Sequence, residues 1–250
     1  MKKIVSFSGG RTSAYLCKVM IDKFGKDNVD FIYMDTGAEH PKTYEFIKRV
    51  DKHFGLNLVY LRLKINKELG KGNSYKVVNS EECKPDLVPF KDMMTKYGVP
   101  YIGGMFCTDR MKLTPFTKYC QDKYGKKNYE TWLGIRADEP KRLRGVKGLR
   151  YMAEISDFEK EDVIKWWKDM PFDLGIDEHL GNCVFCPKKS NLKLALAQRE
   201  APKLYGNYIE AITSNAVRVD DNTGSHSKMY RGCQSLPNLI AMFDTSSSDD

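Results

Sequence analysis

The sequence contains no apolar run approaching the roughly 18–20 residues that span a bilayer, and its opening stretch, MKKIVSFSGG, breaks at a glycine pair after a few apolar residues. A soluble, cytoplasmic chain without a membrane segment is therefore expected. No secretion signal is evident, and the seven cysteines are odd in number. Both facts argue against a disulfide framework and for reduced thiols, some of them metal ligands. Internal repeats are lacking. The early glycine-rich loop has neither the glycine-lysine-serine/threonine ending of a Walker loop nor the spaced glycines of a dinucleotide-binding turn, which disfavours both of those nucleotide folds.

What is present fits one sizeable α/β domain with an extension: 250 residues, 41% hydrophobic and 30% charged. The formal charge of +8, from 41 basic against 33 acidic side chains, favours anionic partners such as nucleotides or nucleic acid. Residues 3–7 form a short apolar run ending in SGG, and the following TSAYLCKVMIDKF places Ala14, Leu16, Cys17, Met20, Ile21 and Phe24 largely on one helical face. A second run over 28–34 ends in DTG, Pro41 opens a helical stretch, and a third run covers 56–63. Strand and helix alternate, so a parallel twisted sheet with helices on both faces is predicted. Residues 64–104 read as an insertion of polar loops around one helix, PFKDMMTKYG. A helix over 112–124, strands in YETWLGI and RYMAEI, and then a mostly helical C-terminal extension follow, ending in SSSDD, which is expected to be disordered.

The first candidate site is Ser8, Gly9, Gly10, Arg11, Thr12 and Ser13, between strand one and helix one. Glycines admit an anion close to the backbone, and hydroxyls with the free N–H groups of a helix N-terminus supply donors. An ordinary strand-to-helix turn is the alternative. The segment VSFSGGRTSAYL resembles the PP-loop, SGGxDS, of the adenine nucleotide alpha-hydrolase superfamily, which includes the PAPS and APS (phosphoadenosine and adenosine phosphosulfate) reductases, ATP sulfurylase small subunits and tRNA thiolases. Thr12 stands where that pattern has aspartate. FIYMDTGAEHPKTYEFI resembles the family's strand-two element, which implies that Met34, Asp35 and Thr36 line adenine and ribose; a cap or turn is the other reading of Asp35.

Three further blocks extend the resemblance across residues 3–190. Cys107 to Phe116, CTDRMKLTPF, is similar to the cysteine-to-KxxP element of APS reductases and carries Lys112. LGIRADE is similar to the family's G-I/L-R-x-x-E segment, which implies that Arg136 faces nucleotide phosphates with Glu139 to orient it; a surface salt bridge is the alternative. GNCVFCP resembles the cluster-binding GCxxCT element and the cysteine-rich end of DNA phosphorothioation proteins. Paired thiolates at this spacing suit zinc or iron–sulfur, or else form a redox pair or two buried cysteines. A cluster normally needs four thiolates. Cys107, Cys183 and Cys186 are three candidates, with Cys233 as the fourth and Cys83 in reserve, whereas Cys17 and Cys120 read as core. No ECGLH-like motif with its nucleophilic cysteine is present.

By this resemblance residues 1–156 form a PP-loop nucleotide-binding α/β domain, 157–245 a helical region with the cysteine pair, and 246–250 a tail. The implied cofactors are ATP or a PAPS/APS-type adenine nucleotide, a 4Fe-4S cluster with zinc as the alternative, and Mg2+. Lys112 and Arg136 are the catalytic candidates. The leading expectation is an enzyme acting at the α-phosphate, adenylylating a second substrate for sulfur transfer, with nucleic acid and a sulfur donor as partners. A true sulfonucleotide reductase served by thioredoxin, and a non-catalytic nucleotide-binding regulator, are the alternatives; an oligomer is compatible with each. The basic stretch 141–150 could hold a 3′-phosphate, a polyphosphate or a nucleic-acid backbone, or be a solvated loop. Trp166, Trp167 and Phe172 read as core rather than stacking residues.

Overall fold

A computed structural model describes residues 1–219, 230–231 and 234–244. Cys233 and the SSSDD tail lie outside the described residues.

A six-stranded sheet in the order β4-β3-β2-β1-β5-β6 organises the chain. The strand β1 (Lys2–Phe7) runs parallel to β2 (Val29–Asp35) on one side and to β5 (Tyr129–Leu133) on the other. Both of its faces are covered, which explains why Ile4, Val5 and Phe7 read as a continuous apolar run rather than an alternating one. The strand β3 (Val59–Lys64) continues in parallel beyond β2, and β6 (Leu149–Tyr151) beyond β5. Chain order therefore runs outward from β1 in one direction and then returns to its other side. The crevice between β1 and β5 is a topological switch point, where open α/β sheets bind ligands at the carboxyl ends of their strands.

Helices α1 (Arg11–Phe24), α2 (Pro41–Phe54) and α5 (Lys160–Lys168) cover one face through Leu16, Met20, Phe46, Val50 and Trp167. Helix α4 (Thr114–Tyr124) covers the other, packing Phe116, Tyr119 and Cys120 on Ile4, Ile32 and Leu61. The helix ends follow local chemistry. Gly25 and Gly55 close α1 and α2 at positive φ, and Pro41 opens α2 after His40, whose Nδ1 accepts from the Lys42 N–H. As the sequence suggested, Cys17 and Cys120 are fully buried, and Trp167 and Phe172 are core.

A further core joins α3 (Val88–Tyr97), α6 (Asn191–Glu200), α7 (Pro202–Thr213) and α8 (Leu236–Asp244) through Met93, Met94, Leu194, Tyr205, Tyr208 and Leu239. Two expectations are corrected. The 64–104 segment is more than loops and one helix, because Ser74–Val78 forms β4, pairing antiparallel with β3 from Lys64↔Ser74 to Tyr60↔Val78. An edge strand with Lys76 and Val77 facing solvent carries little of the apolar alternation that betrays a strand. The strand expected over 150–155 stops at Tyr151, where the Glu154 carboxylate accepts from the Tyr151 N–H and folds Met152–Glu154 into a 3-10 turn.

Candidate functional site

The loop 8–13 sits at the carboxyl end of β1. Ser13 Oγ accepts from the Ser8 N–H at 3.2 Å and donates to Gly10 O at 3.0 Å, and the Ser8 hydroxyl lies 2.9 Å from it. This knot fixes the loop while no side chain caps α1, so the first-turn N–H groups remain available to an anion. Gly9 lies at φ +80°, a backbone conformation that favours glycine, and a Cβ there would lie 2.8 Å from Ile47 Cδ1 of α2. Gly10 is open, with only Ser8 Oγ at 3.9 Å from the same atom. Gly134, just after β5, would place a Cβ 2.9 Å from Ser13 Cα, so its bare backbone lets the end of β5 close on the first turn of α1.

Beside this loop lies a cavity of about 620 Å³. Ser6 and Phe7 from β1 with Ser8 just after it, Met34 from β2, Thr131 and Leu133 from β5 and Leu149 from β6 supply its floor, Lys112, Leu113, Phe116 and Thr117 one wall, and it extends to Met1 and Lys127 at the amino ends of β1 and β5. The lining is largely apolar, with Lys112, Lys127 and Lys147 as its cations and the Ser8 hydroxyl at the loop end.

Arg136 reaches the same loop from β5. Its Nη1 donates to Thr12 Oγ1 at 3.1 Å, while Nε and Nη2 form a fork on Asp138 at 2.8 and 3.0 Å. Glu139 accepts from the Arg136 N–H at 3.2 Å and pairs with Arg142. The guanidinium is thus both tied to a carboxylate and hydrogen-bonded to loop 8–13. Burial disfavours its charge, but Asp138 and Glu139 outweigh burial and hold its pKa above the ordinary arginine value.

A second cavity, of about 580 Å³, contains Cys107, Cys183 and Cys186 together with Lys112, Lys189 and Arg142. Lys112 lines both cavities. It lies in a wide helical turn, Thr108–Leu113, between Cys107 and α4. Its Nζ is 3.8 Å from Glu39 Oε1, and Cys183 Sγ lies 3.9 Å from the same oxygen and 3.9 Å from Thr36 Oγ1. Burial opposes the Lys112 ammonium, yet Cys183 and Glu39 hold its pKa above that of a free lysine. Burial likewise raises the Glu39 carboxyl despite Lys112 and Lys189, and lowers Lys189 to about 8. Cys183 is pushed up to about 12 by burial and by the Glu39 charge.

Three soft sulfur donors among cations suit a cluster whose sulfurs carry negative charge. The fit is with three of the four thiolates of a cluster. The reserve candidate, Cys83, does not join them: it is buried in the first core beside Tyr60. Among the described residues, the His/Cys/Asp/Glu group whose ligand atoms all lie within 4.8 Å of one another is Asp177, His179 and Glu200, on the surface.

Other expected site residues are placed differently. Asp35 is fully buried and faces away from the 620 Å³ cavity. It accepts from Arg62 Nε at 2.6 Å, the Tyr44 hydroxyl at 3.0 Å and the Gly37 N–H at 2.9 Å, because adjacent strand residues point to opposite faces and only Met34 can face the cavity. Thr36 lines the cysteine cavity. The Arg11 side chain is forked on Asp173 at 2.6 Å and contributes its backbone alone to the loop. The basic stretch borders both cavities, with Arg142 at the cysteine side and 146–149 at the other. Glu39 and Lys189 carried no motif signal of their own; Glu39 meets Cys183 across 144 residues.

The nin region protein ORF290 of Escherichia phage lambda is 52% identical over 248 residues, covering 97% of this chain and 85% of that protein. Two proteins of Methanocaldococcus jannaschii are 23% and 24% identical over 86% and 83% of the chain, which spans less than half of their length, 42% and 46%. The phosphoadenosine phosphosulfate reductase domain matches residues 2–166, which hold the sheet, loop 8–13 and Arg136 but not the cysteine pair, and the chain belongs to that family.

Proposed function

We propose that the chain binds ATP or a related adenylyl nucleotide in the cavity at the strand ends and acts at the α-phosphate. The adenylyl group passes to a second substrate, and a sulfur nucleophile then displaces AMP. The observation that carries this reading is Lys112, which forms the wall between the nucleotide-sized cavity and the cysteine cavity. A cation there meets the charge that develops as an oxygen of the second substrate attacks the α-phosphorus and the bond to pyrophosphate breaks.

The remaining roles follow from position. Met34, Phe116 and Leu133 hold the base and exclude water. The N–H groups of loop 8–13, with Thr12 and Arg136, hold the departing pyrophosphate, whose own oxygens would carry Mg2+. The second substrate enters through the cysteine cavity, where Lys188, Lys189, Lys193 and Arg142 outnumber the single carboxylate of the lining, Glu178. Nucleic acid suits those cations and the exposed 141–150 loop that continues them. Cys107, Cys183, Cys186 and a fourth ligand would hold a 4Fe-4S cluster, which when bound supplies a site for sulfur or electrons. The site's use of a cytoplasmic sulfur donor belongs to the same reading.

Incubation with labelled ATP, APS and PAPS separates the alternatives. Pyrophosphate release with ATP supports adenylylation; thioredoxin-dependent sulfite release from APS or PAPS identifies a reductase; binding without turnover identifies a regulator.

A further inference from the structure

Three tyrosines converge on the four residues from Cys183 to Cys186. Tyr205, on α7, donates to Val184 O at 3.2 Å, and Tyr230 donates to Phe185 O. These are the two backbone carbonyls between the paired cysteines. Tyr208, one turn beyond Tyr205, lays its ring flat on Phe185, with centroids 3.5 Å apart and planes within 12°. It is fully buried, and its hydroxyl has no hydrogen-bond partner among the described residues. A buried hydroxyl left without an acceptor is costly, and natural folds keep few of them.

We infer that the Tyr208 hydroxyl donates a hydrogen bond to a sulfur of the centre held by Cys107, Cys183 and Cys186, so that Tyr208 is a positioning residue for that centre. The inference rests on the reading that these thiols hold an iron–sulfur cluster. The ring is anchored against the chain between two of the ligands, and Tyr205 and Tyr230 already occupy the carbonyls there. Burial raises Tyr208 well above an ordinary phenol, and the charges that act on it next are those of Cys107, Cys183 and Cys186, in that order. It therefore stays protonated as a donor, and its ring lies against Phe185, the residue next to Cys186. The other buried unpartnered tyrosine, Tyr33, faces Tyr44, Glu39 and Asp35 instead. A hydrogen bond to cluster sulfur favours the more reduced, more negative state and raises the midpoint potential.

The test uses the full chain purified anaerobically with its cluster. Tyr208→Phe keeps the stacked ring and should retain wild-type iron and sulfide while its midpoint potential moves to a more negative value. Tyr205→Phe, whose hydroxyl serves a carbonyl, should leave the potential in place. An unchanged potential in Tyr208→Phe, or an equal shift in Tyr205→Phe, overturns the role of Tyr208. Absence of iron and sulfide from the wild type overturns the cluster reading itself, and the inference with it.

Discussion

Removing the Arg62 side chain should destabilise the chain far more than neutralising the carboxylate it pairs with. Asp35 is fully buried at the carboxyl end of β2, and Arg62 is its cationic partner among the described residues; its other donors, the Tyr44 hydroxyl and the Gly37 N–H, are neutral. Arg62 has more company: Asp86 at 3.3 Å and Glu82 O at 2.7 Å. Arg62→Met therefore strands a buried charge, at about 3–5 kcal/mol, a large share of the roughly 5–15 kcal/mol that holds a domain together. Asp35→Asn keeps acceptor and donor atoms in place and leaves Arg62 paired with Asp86, at about 1–3 kcal/mol. In Asp35→Asn/Arg62→Met no charge is stranded, so the double variant should be more stable than the sum of the singles implies. Urea titrations with unchanged m-values read all three. Asp35→Asn costing as much as Arg62→Met, or strict additivity, would refute the reasoning. Because Met34 adjoins Asp35 and lines the cavity, the Arg62 variant should also weaken nucleotide binding.

Gly10→Val should abolish ATP binding in calorimetry at unchanged stability, since position 10 is open, whereas Gly9→Val should lower the unfolding midpoint because it meets Ile47 at positive φ; equal destabilisation by both would contradict this. Arg136→Lys keeps the charge but loses the fork on Asp138 and the reach to Thr12, so affinity for ATP should fall about tenfold, or ~1.4 kcal/mol; unchanged affinity would remove Arg136 from the site. Gly134→Ala should push on Ser13 and cost about 1–3 kcal/mol, read by thermal unfolding, with weaker nucleotide binding. Burial disfavours the Asp30 carboxylate, but the Tyr124 hydroxyl and Lys2 outweigh it and hold its pKa below the usual aspartate value. Its contribution is present above the unfolded pKa of about 3.9 and is lost as pH falls through the lower folded value. Asp30→Asn should therefore be less stable at neutral pH and nearly equal to wild type at pH 2; a constant difference across that range would be the contrary result.

The alternation of strands and helices from β1 to β3 was legible because apolar residues recur there with the periods of buried strands and amphipathic helices. β4 was not, because its Lys76 and Val77 face solvent and nothing in SYKVV announces pairing with β3. The phosphate loop, Lys112, Arg136 and the cysteine pair stood out as motifs, yet their motifs did not say where side chains point. Period-two alternation forbids Met34 and Asp35 from facing one cavity, and which of them does so is decided by α4 and Arg62, both distant in sequence. Gly9 carries the loop motif, and folding adds a demand the motif does not announce, a φ of +80° with Ile47 of α2 beside the place of a Cβ. Glu39 and Lys189 are ordinary residues until folding sets them beside Cys183.

Photo-crosslinking with 8-azido-ATP, followed by peptide mapping, tests the placement of the nucleotide most directly. Attachment to the peptides carrying Met34, Leu133 or Leu149, suppressed by unlabelled ATP and lost in Gly10→Val, is the predicted result. Attachment instead to the surface groove formed by Lys91, Thr95 and residues 213–217, or labelling that ATP does not displace, would contradict it.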